Sequence, residues 1–333
     1  MKIRVLGAAA GGGFPQWNCN CRNCAGVRAG TVRARPRTQS SIAVRGNDVT
    51  RGSGATQQID DDAPQAGAPV AGRDGRSGWA LVNVSPDITA QMQANPAFQP
   101  GRALRDCAIT GIVLVDGQVD HTTGLYMLRE STRPWPIWCT ESTYADLTRG
   151  NPILNVLGHF CGVSWRRIAL EGQAFEVDGV NDVQWRAIPV PGKPAPYSPN
   201  RESPVPGDNL ALVITSKASG RSVVYAPGLG EMDDRVWRFM EAASCVMVDG
   251  TFWTDDEMIR LGASKKHARE IGHLPQSGAG GMLEWLDKLP ASKRKVLIHI
   301  NNTNPILDQD SEQAAACARR GIEVAWDGME IEL

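Results

Sequence analysis

A chain of 333 residues has room for one large α/β domain or two ordinary ones. Its 35 lysines and arginines against 36 aspartates and glutamates leave a net charge of -1, so no long-range field draws it to nucleic acid or to an anionic membrane. No stretch approaches the roughly 20 apolar residues of a membrane span, and "MKIRVLG" lacks the apolar core and cleavage site of a signal peptide, so the cytoplasm is the expected location.

The first strand-like run, "KIRVLG", leads through a Gly-rich turn into "WNCNCRNC". Eight cysteines in a cytoplasmic chain read as thiols or metal ligands rather than as disulfides. Cys19, Cys21 and Cys24 form a C-x-C-x-x-C knot whose three thiolates suit three corners of a tetrahedral, structural Zn2+. A distant residue must close that site, and His273 or a group near His299 is the candidate. The other five cysteines stand isolated among apolar neighbours and read as small buried hydrophobes.

"RARPR" reads as the solvated start of the next strand. "SIAVR" and "WALVNVS" then bracket residues 46–78, which are rich in Gly, Ala, Asp and Pro and read as a flexible insertion at a hairpin tip. Beyond "GIVLV", the runs "PIWC", "DVQWRAI", "LALVIT", "SVVYA", "CVMVDG", "KVLIHI" and "IEVAWDG" alternate with helical patterns at 123–130, 141–149, 232–243, 278–288 and 311–319. That order predicts mixed sheets covered by helices, an α/β layered domain. The Pro-rich segment 190–209 suits an ordered, functional loop, in which Lys193 and Arg201 read as solvated charges.

Chemistry concentrates in "LVDGQVDHTTGL", where an apolar run ends in Asp116, Asp120 and His121 although the chain has five histidines in all. His299, in "VLIHINNTNP", ends another strand and would lie at the same sheet edge if the two strands run parallel. Asp120, His121 and His299 would then make two imidazoles and one carboxylate with positions open to substrate or oxygen, the ligand set of non-haem Fe(II) oxygenases. Zinc, manganese or copper would also accept such ligands. His159 and His267 read as ordinary satisfied polar residues.

The strand ending in Asp-His and the late strand ending in His resemble the metallo-β-lactamase superfamily, whose motif is H-x-H-x-D-H. More closely, "NCNC", "RARPRTQSSIAV", "SPDI", "QVDHTTGLYMLRE", "PVPGDN", "DGTFWTDDEM", "GHLP" and "HINNTNPILD" resemble the B proteins of pyrroloquinoline quinone (PQQ) biosynthesis over nearly the whole length. The resemblance implies the αββα four-layer sandwich of the metallo-β-lactamase type as a single domain, residues 1–333, with metals at one edge of the sheets. It also shows what has been lost. Asp116 and Gln118 stand where the two leading motif histidines belong, the middle histidine is missing from the Pro-rich loop, and Gly and Leu replace the bridging aspartate in "VVYAPGLGEM". One of two metal sites looks erased, and Asp120, His121 and His299 are the half that remains. "VDGTFWTDDEM" with "GHLP" resembles the H-E-A-T-F and H-S-T pair of tRNA-processing relatives, so Asp249 and His273 are expected to orient a ligand or move a proton.

The resemblance implies an oxygenase, with Fe2+ as expected metal, that hydroxylates the tyrosine ring of a small peptide-derived Glu-Tyr quinone precursor. The alternative is a carrier that binds PQQ or its precursor and assists its transfer to the periplasm. A mononuclear metallohydrolase ranks last, because a binuclear clamp is missing. A homodimer is open, and neither nucleic acid nor a membrane span is expected.

Overall fold

The computed structural model of the chain describes residues 1–48, 77–101, 103–170 and 172–333. Apart from its ends, the expected insertion at 46–78 lies outside the described residues. Fourteen strands form two sheets among the described residues. The first contains β1 (Lys2–Gly7), β2 (Ser41–Arg45), β3 (Trp79–Val82), β4 (Ile109–Val113), β5 (Trp135–Cys139) and β6 (Val163–Arg167). The second contains β7 (Ala174–Phe175), β8 (Val183–Pro189), β9 (Leu210–Ser216), β10 (Ser222–Ala226), β11 (Cys245–Asp249), β12 (Arg294–Ile298) and β13 (Ile322–Val324). The last strand, β14 (Glu330–Glu332), returns to the first sheet and pairs antiparallel with β1. In both sheets an antiparallel part turns into a parallel one, from β3 to β6 and from β10 to β13.

Alternation along the strands sets the layers. Ile3, Val5, Ile42, Val44 and Val113 of the first sheet meet Trp185, Leu212, Ile214, Tyr225, Met247 and Ile298 of the second in one fully apolar layer. The opposite residues of the second sheet, such as Val224, Val248 and Leu297, pack on Val236, Met240, Leu283 and Leu286 of helices Asp234–Ala242 and Met282–Asp287. On the outer face of the first sheet, Leu81 and Ile112 pack on Ile88, Leu125, Leu147 and Leu157. Helix, sheet, sheet and helix are therefore the four layers of the expected αββα sandwich. The strands read as continuous apolar runs because both faces are covered, and truncating one large side chain in such a layer costs about 2–5 kcal/mol.

Two expectations change in detail. The helix expected at 123–130 is a 3-10 segment, Thr123–Leu128, and that at 141–149 divides into Glu141–Ala145 and a π turn, Asp146–Gly150. Strands β6, β7 and β14 escape a hydrophobic-run reading, since β6 lies at a sheet edge with its side chains half-buried or exposed and β14 buries only Ile331.

At one edge the sheets are stitched together. The chain beyond β1 and the chain beyond β12 exchange hydrogen bonds, Ile300 N to Ala8 O and Ala10 N to Ile300 O, both at 2.9 Å. β4 and β12, which were expected to share a sheet edge, lie in different sheets. Coverage on both faces hides sheet membership from the sequence, and the candidate site spans this seam instead.

Candidate metal centre

From the first sheet, the chain leaves β4 through Leu114 and Val115 into Asp116 and the short helix Val119–Thr122. Asp116 is buried, and its Oδ1 accepts the Gln118 amide at 2.9 Å, turning the chain into that helix. Asp116 also lies 2.8 and 2.9 Å from His121 Nδ1 through its two oxygens. Carboxylates only accept, so His121 donates from Nδ1 and keeps its lone pair on Nε2. Gly117 is required here, because a Cβ would come 2.6 Å from Asp146 Oδ2.

From the second sheet come Asp249 at the end of β11, His273 in the loop after the turn Arg269–Ile271, and His299 just beyond β12. Asp249 Oδ1 accepts the Thr251 amide at 2.9 Å, while Oδ2 accepts the Leu229 amide at 3.0 Å and His273 Nδ1 at 2.8 Å. His299 takes a left-handed backbone, φ 61°, a conformation costly for most residues and concentrated at functional sites.

Across the seam, His299 Nε2 lies 3.3 Å from Asp120 Oδ2, and His121 Nε2 lies 4.0 Å from the same oxygen. One ligand atom from each of Asp120, His121 and His299 falls within 4.8 Å of the others, as do those of Asp249, His273 and His299. The His299 ring stands 5.3 Å from the rings of both His121 and His273. His121 Nε2 is buried with no hydrogen-bond partner among the described residues. A buried lone pair with no donor, next to a carboxylate and a second imidazole, calls for a cation, and this donor set fits a divalent metal.

The electrostatics agree with that fit. Burial pushes the His121 imidazolium down, but Asp116 and Asp120 outweigh it and raise its pKa to about 9. Burial would raise the Asp120 carboxyl, yet the charges of His121 and His299 hold it well below the usual carboxylate range. Asp249 is likewise lowered and His273 raised, because their mutual attraction outweighs the burial of both.

Asp116, Asp120, His121, His273 and His299 line a pocket of about 220 Å3 with Gly11, Gln118, Lys193, Asn209, Phe252 and Asn301, so the Pro-rich loop does contribute a wall. Gln118 Nε2 donates to the Lys193 carbonyl at 3.2 Å, and Tyr197 Oη donates to the Gly117 carbonyl, tying that loop to the β4 end. Gly228, where the bridging aspartate was missing, lines the same pocket. A larger groove of about 930 Å3, walled by Met92, Leu104, Met127 and Trp135, contains none of the site's groups. Of the histidines set aside, His267 pairs with Asp255 at 3.1 Å on the surface.

The cysteine knot forms a separate cluster. Cys21 caps the helix Arg22–Ala29, and the sulfurs of Cys19, Cys21 and Cys24 lie within 4.8 Å of one another. Burial pushes the Cys21 thiol up to about 12. The residue that joins them is not His273, which stays in the pocket. It is Asn302, three positions past His299, whose Nδ2 lies 2.9, 3.7 and 3.3 Å from the three sulfurs in chain order. Amide O and N exchange places on a half-turn of the side chain, so Asn302 can present an oxygen there instead.

The sequence reading grouped Asp120, His121 and His299, which the structure brings together, and looked near His299 for the group that meets the cysteines, but it named neither Thr251 nor Asn302 and gave Asp116 no role of its own. Asp116 stood in the quoted motif as a lost histidine. Thr251 and Asn302 lay inside "DGTFW" and "HINNTN", where a polar residue next to a metal-ligand candidate was the available signal.

The fold and this edge site define a protein of the metallo-β-lactamase class, and the family model of the beta-lactamase superfamily domain matches residues 78–300. A coenzyme PQQ synthesis protein B of Azoarcus sp. (strain BH72) is 57% identical over 333 residues, and one of Methylobacillus flagellatus (strain ATCC 51484 / DSM 6875 / VKM B-1610 / KT) is 49% identical over 334, each pair covered in full. The crystal structure of Zn(2+)-bound PqqB from Methylobacterium extorquens superposes with a TM-score of 0.82 at 32% identity, again over both whole chains. This chain belongs to the coenzyme PQQ synthesis protein B family.

Proposed function

We propose that this chain acts in PQQ biosynthesis as a metal-dependent oxygenase that hydroxylates the tyrosine ring of a peptide-derived Glu-Tyr precursor in the cytoplasm. The observation that carries the reading is the buried, unpartnered His121 Nε2 converging with Asp120 and His299, two imidazoles and one carboxylate. Cys19, Cys21 and Cys24 would hold a structural Zn2+, with Asn302 as the fourth group. Fe2+ held by Asp120, His121 and His299 would supply the activation of O2, one oxygen atom entering a ring C–H and the other leaving as water with two electrons from an external reductant.

The chain's own residues do the rest. Asp116 fixes the His121 ring and leaves Nε2 basic. Asp249 accepts the Nδ1 proton of His273, so His273 Nε2 is the atom that would take a proton from the phenol. The pocket, at about 220 Å3, admits a single ring and excludes a folded partner. Asp116, Gln118 and Gly228 stand where the resemblance puts ligands of the other metal, which favours a mononuclear site over the two-metal clamp of a hydrolase.

The test is anaerobic loading with Fe(II), followed by oxygen, ascorbate as the two-electron reductant and a Glu-Tyr peptide, read by mass spectrometry for added oxygen. Oxygen-dependent mass gain, lost in Asp120→Asn, is the expected result. No turnover, together with PQQ binding that is indifferent to Asp120→Asn, would overturn it in favour of the carrier.

A further inference from the structure

Thr251 lies two residues past β11, and its side chain is almost wholly buried. Its Oγ1 is 2.9 Å from the His299 carbonyl oxygen, 2.9 Å from His299 Nδ1 and 3.0 Å from His273 Nδ1. A hydroxyl has one proton to give and two lone pairs. The carbonyl can only accept, so it takes the hydroxyl proton. Both imidazole nitrogens must then meet the oxygen as N–H donors, and His273 shares its proton with Asp249 Oδ2. Each ring is left with its lone pair on Nε2.

The backbone keeps the hydroxyl from swinging away. Thr251 N donates to Asp249 at 2.9 Å, and the Thr251 carbonyl accepts from Asn301 N at 3.1 Å and from Asn304 Nδ2 at 3.2 Å. The left-handed backbone of His299 turns its own carbonyl and its own ring toward this one hydroxyl. Without that hydroxyl, the His299 ring has another partner: a proton on Nε2 would donate to Asp120 Oδ2, 3.3 Å away, and occupy the lone pair a metal needs.

We infer that Thr251 is the positioning residue that fixes the tautomer of His299, and through the same oxygen that of His273, so that both rings face the pocket as acceptors. The inference deepens the metal-binding reading, but its first readout, the tautomer of His299, needs no metal.

The experiment records 15N spectra of the histidine rings in chelator-stripped protein at mildly alkaline pH, beside Thr251→Val and Thr251→Ser. The wild type is expected to show His299 protonated on Nδ1, and Thr251→Val to move that proton to Nε2. Fe(II) or Co(II) affinity should fall roughly 10- to 100-fold in Thr251→Val, with the cysteine site still filled, and return in Thr251→Ser. A wild type protonated on Nε2 overturns the inference even if Thr251→Val fails to fold, and so does a Thr251→Val protein with unchanged tautomer and affinity. If the wild type shows the Nδ1 tautomer yet binds no metal, the metal reading fails and the role of Thr251 stands.

Discussion

The two ligand clusters of this molecule are built in opposite ways. Cys19, Cys21 and Cys24 come from one turn and the start of one helix, and among the described residues Asn302 reaches them from afar. Asp120 and His121 come from one sheet and His299 from the other, and the site exists only when the sheets are stacked. A local knot of three thiolates suits a closed, structural ion site, whereas an assembled set of two imidazoles and one carboxylate suits a site with positions left open. The clusters are nonetheless neighbours in sequence at one point, since the loop from His299 to Asn304 serves both. Asn23 Nδ2 holds this loop through the carbonyls of Asn302 and Asn304, at 3.1 and 2.9 Å.

Crossed removal gives the largest expected effect. His299→Ala should empty the assembled cluster and cut oxygen-dependent turnover by more than about 100-fold while zinc at the cysteines is unchanged; Cys21→Ser should do the reverse. Elemental analysis of both proteins decides, and a Cys21→Ser protein that also loses the second metal would merge the two sites into one unit.

Acidity should separate them next. Binding at the cysteines displaces about three protons per ion, but at the assembled cluster on the order of one, from His121. Affinity should therefore rise with pH at both, tenfold per pH unit for each proton released. It should level off at the assembled cluster above about 9, where His121 has lost its proton, and keep rising at the cysteines toward about 12. Chelator competition across pH gives the slopes, and equal slopes would break the distinction.

The smallest effect concerns the support beneath the first-sheet half. Asp146 is fully buried under Gly117, and burial together with Asp208 and Asp116 outweighs the lowering effect of the Ser198 hydroxyl and pushes its carboxyl up to about 6. A folded-state pKa above the unfolded one favours the fold at low pH, so the wild type should lose about 1–3 kcal/mol as pH rises from about 4 to about 6. Asp146→Asn should lack that loss and keep the gain above it. Urea unfolding at the two ends of that range would show it, and parallel curves would mean that Asp146 finds a partner on the solvated protein.

What the chain disclosed before folding follows the same division. The cysteine knot was legible because its three sulfurs are contiguous, and the layered α/β order because buried strands read as apolar runs. Asp120, His121 and His299 were joined by their places at strand ends and the chemistry of the set, with the resemblance added afterwards, but the seam between sheets could not be read, since doubly covered strands carry no mark of which sheet they enter. Partners such as Asp116 to His121, or Thr251 to His299, depend on side-chain direction at strand ends, where hydrophobic periodicity stops.

The seam has a further consequence, in polymer terms. Asp120 and His299 are 179 positions apart, so an ion held by both acts as a reversible crosslink across a very long loop. Closing a loop of that size restricts the unfolded chain by about 5 kcal/mol on the entropic estimate used for disulfides, so long as the ion stays bound on unfolding. The same ion that would do chemistry would then also staple the two sheets together, and thermal resistance of the whole chain would report on whether it is loaded.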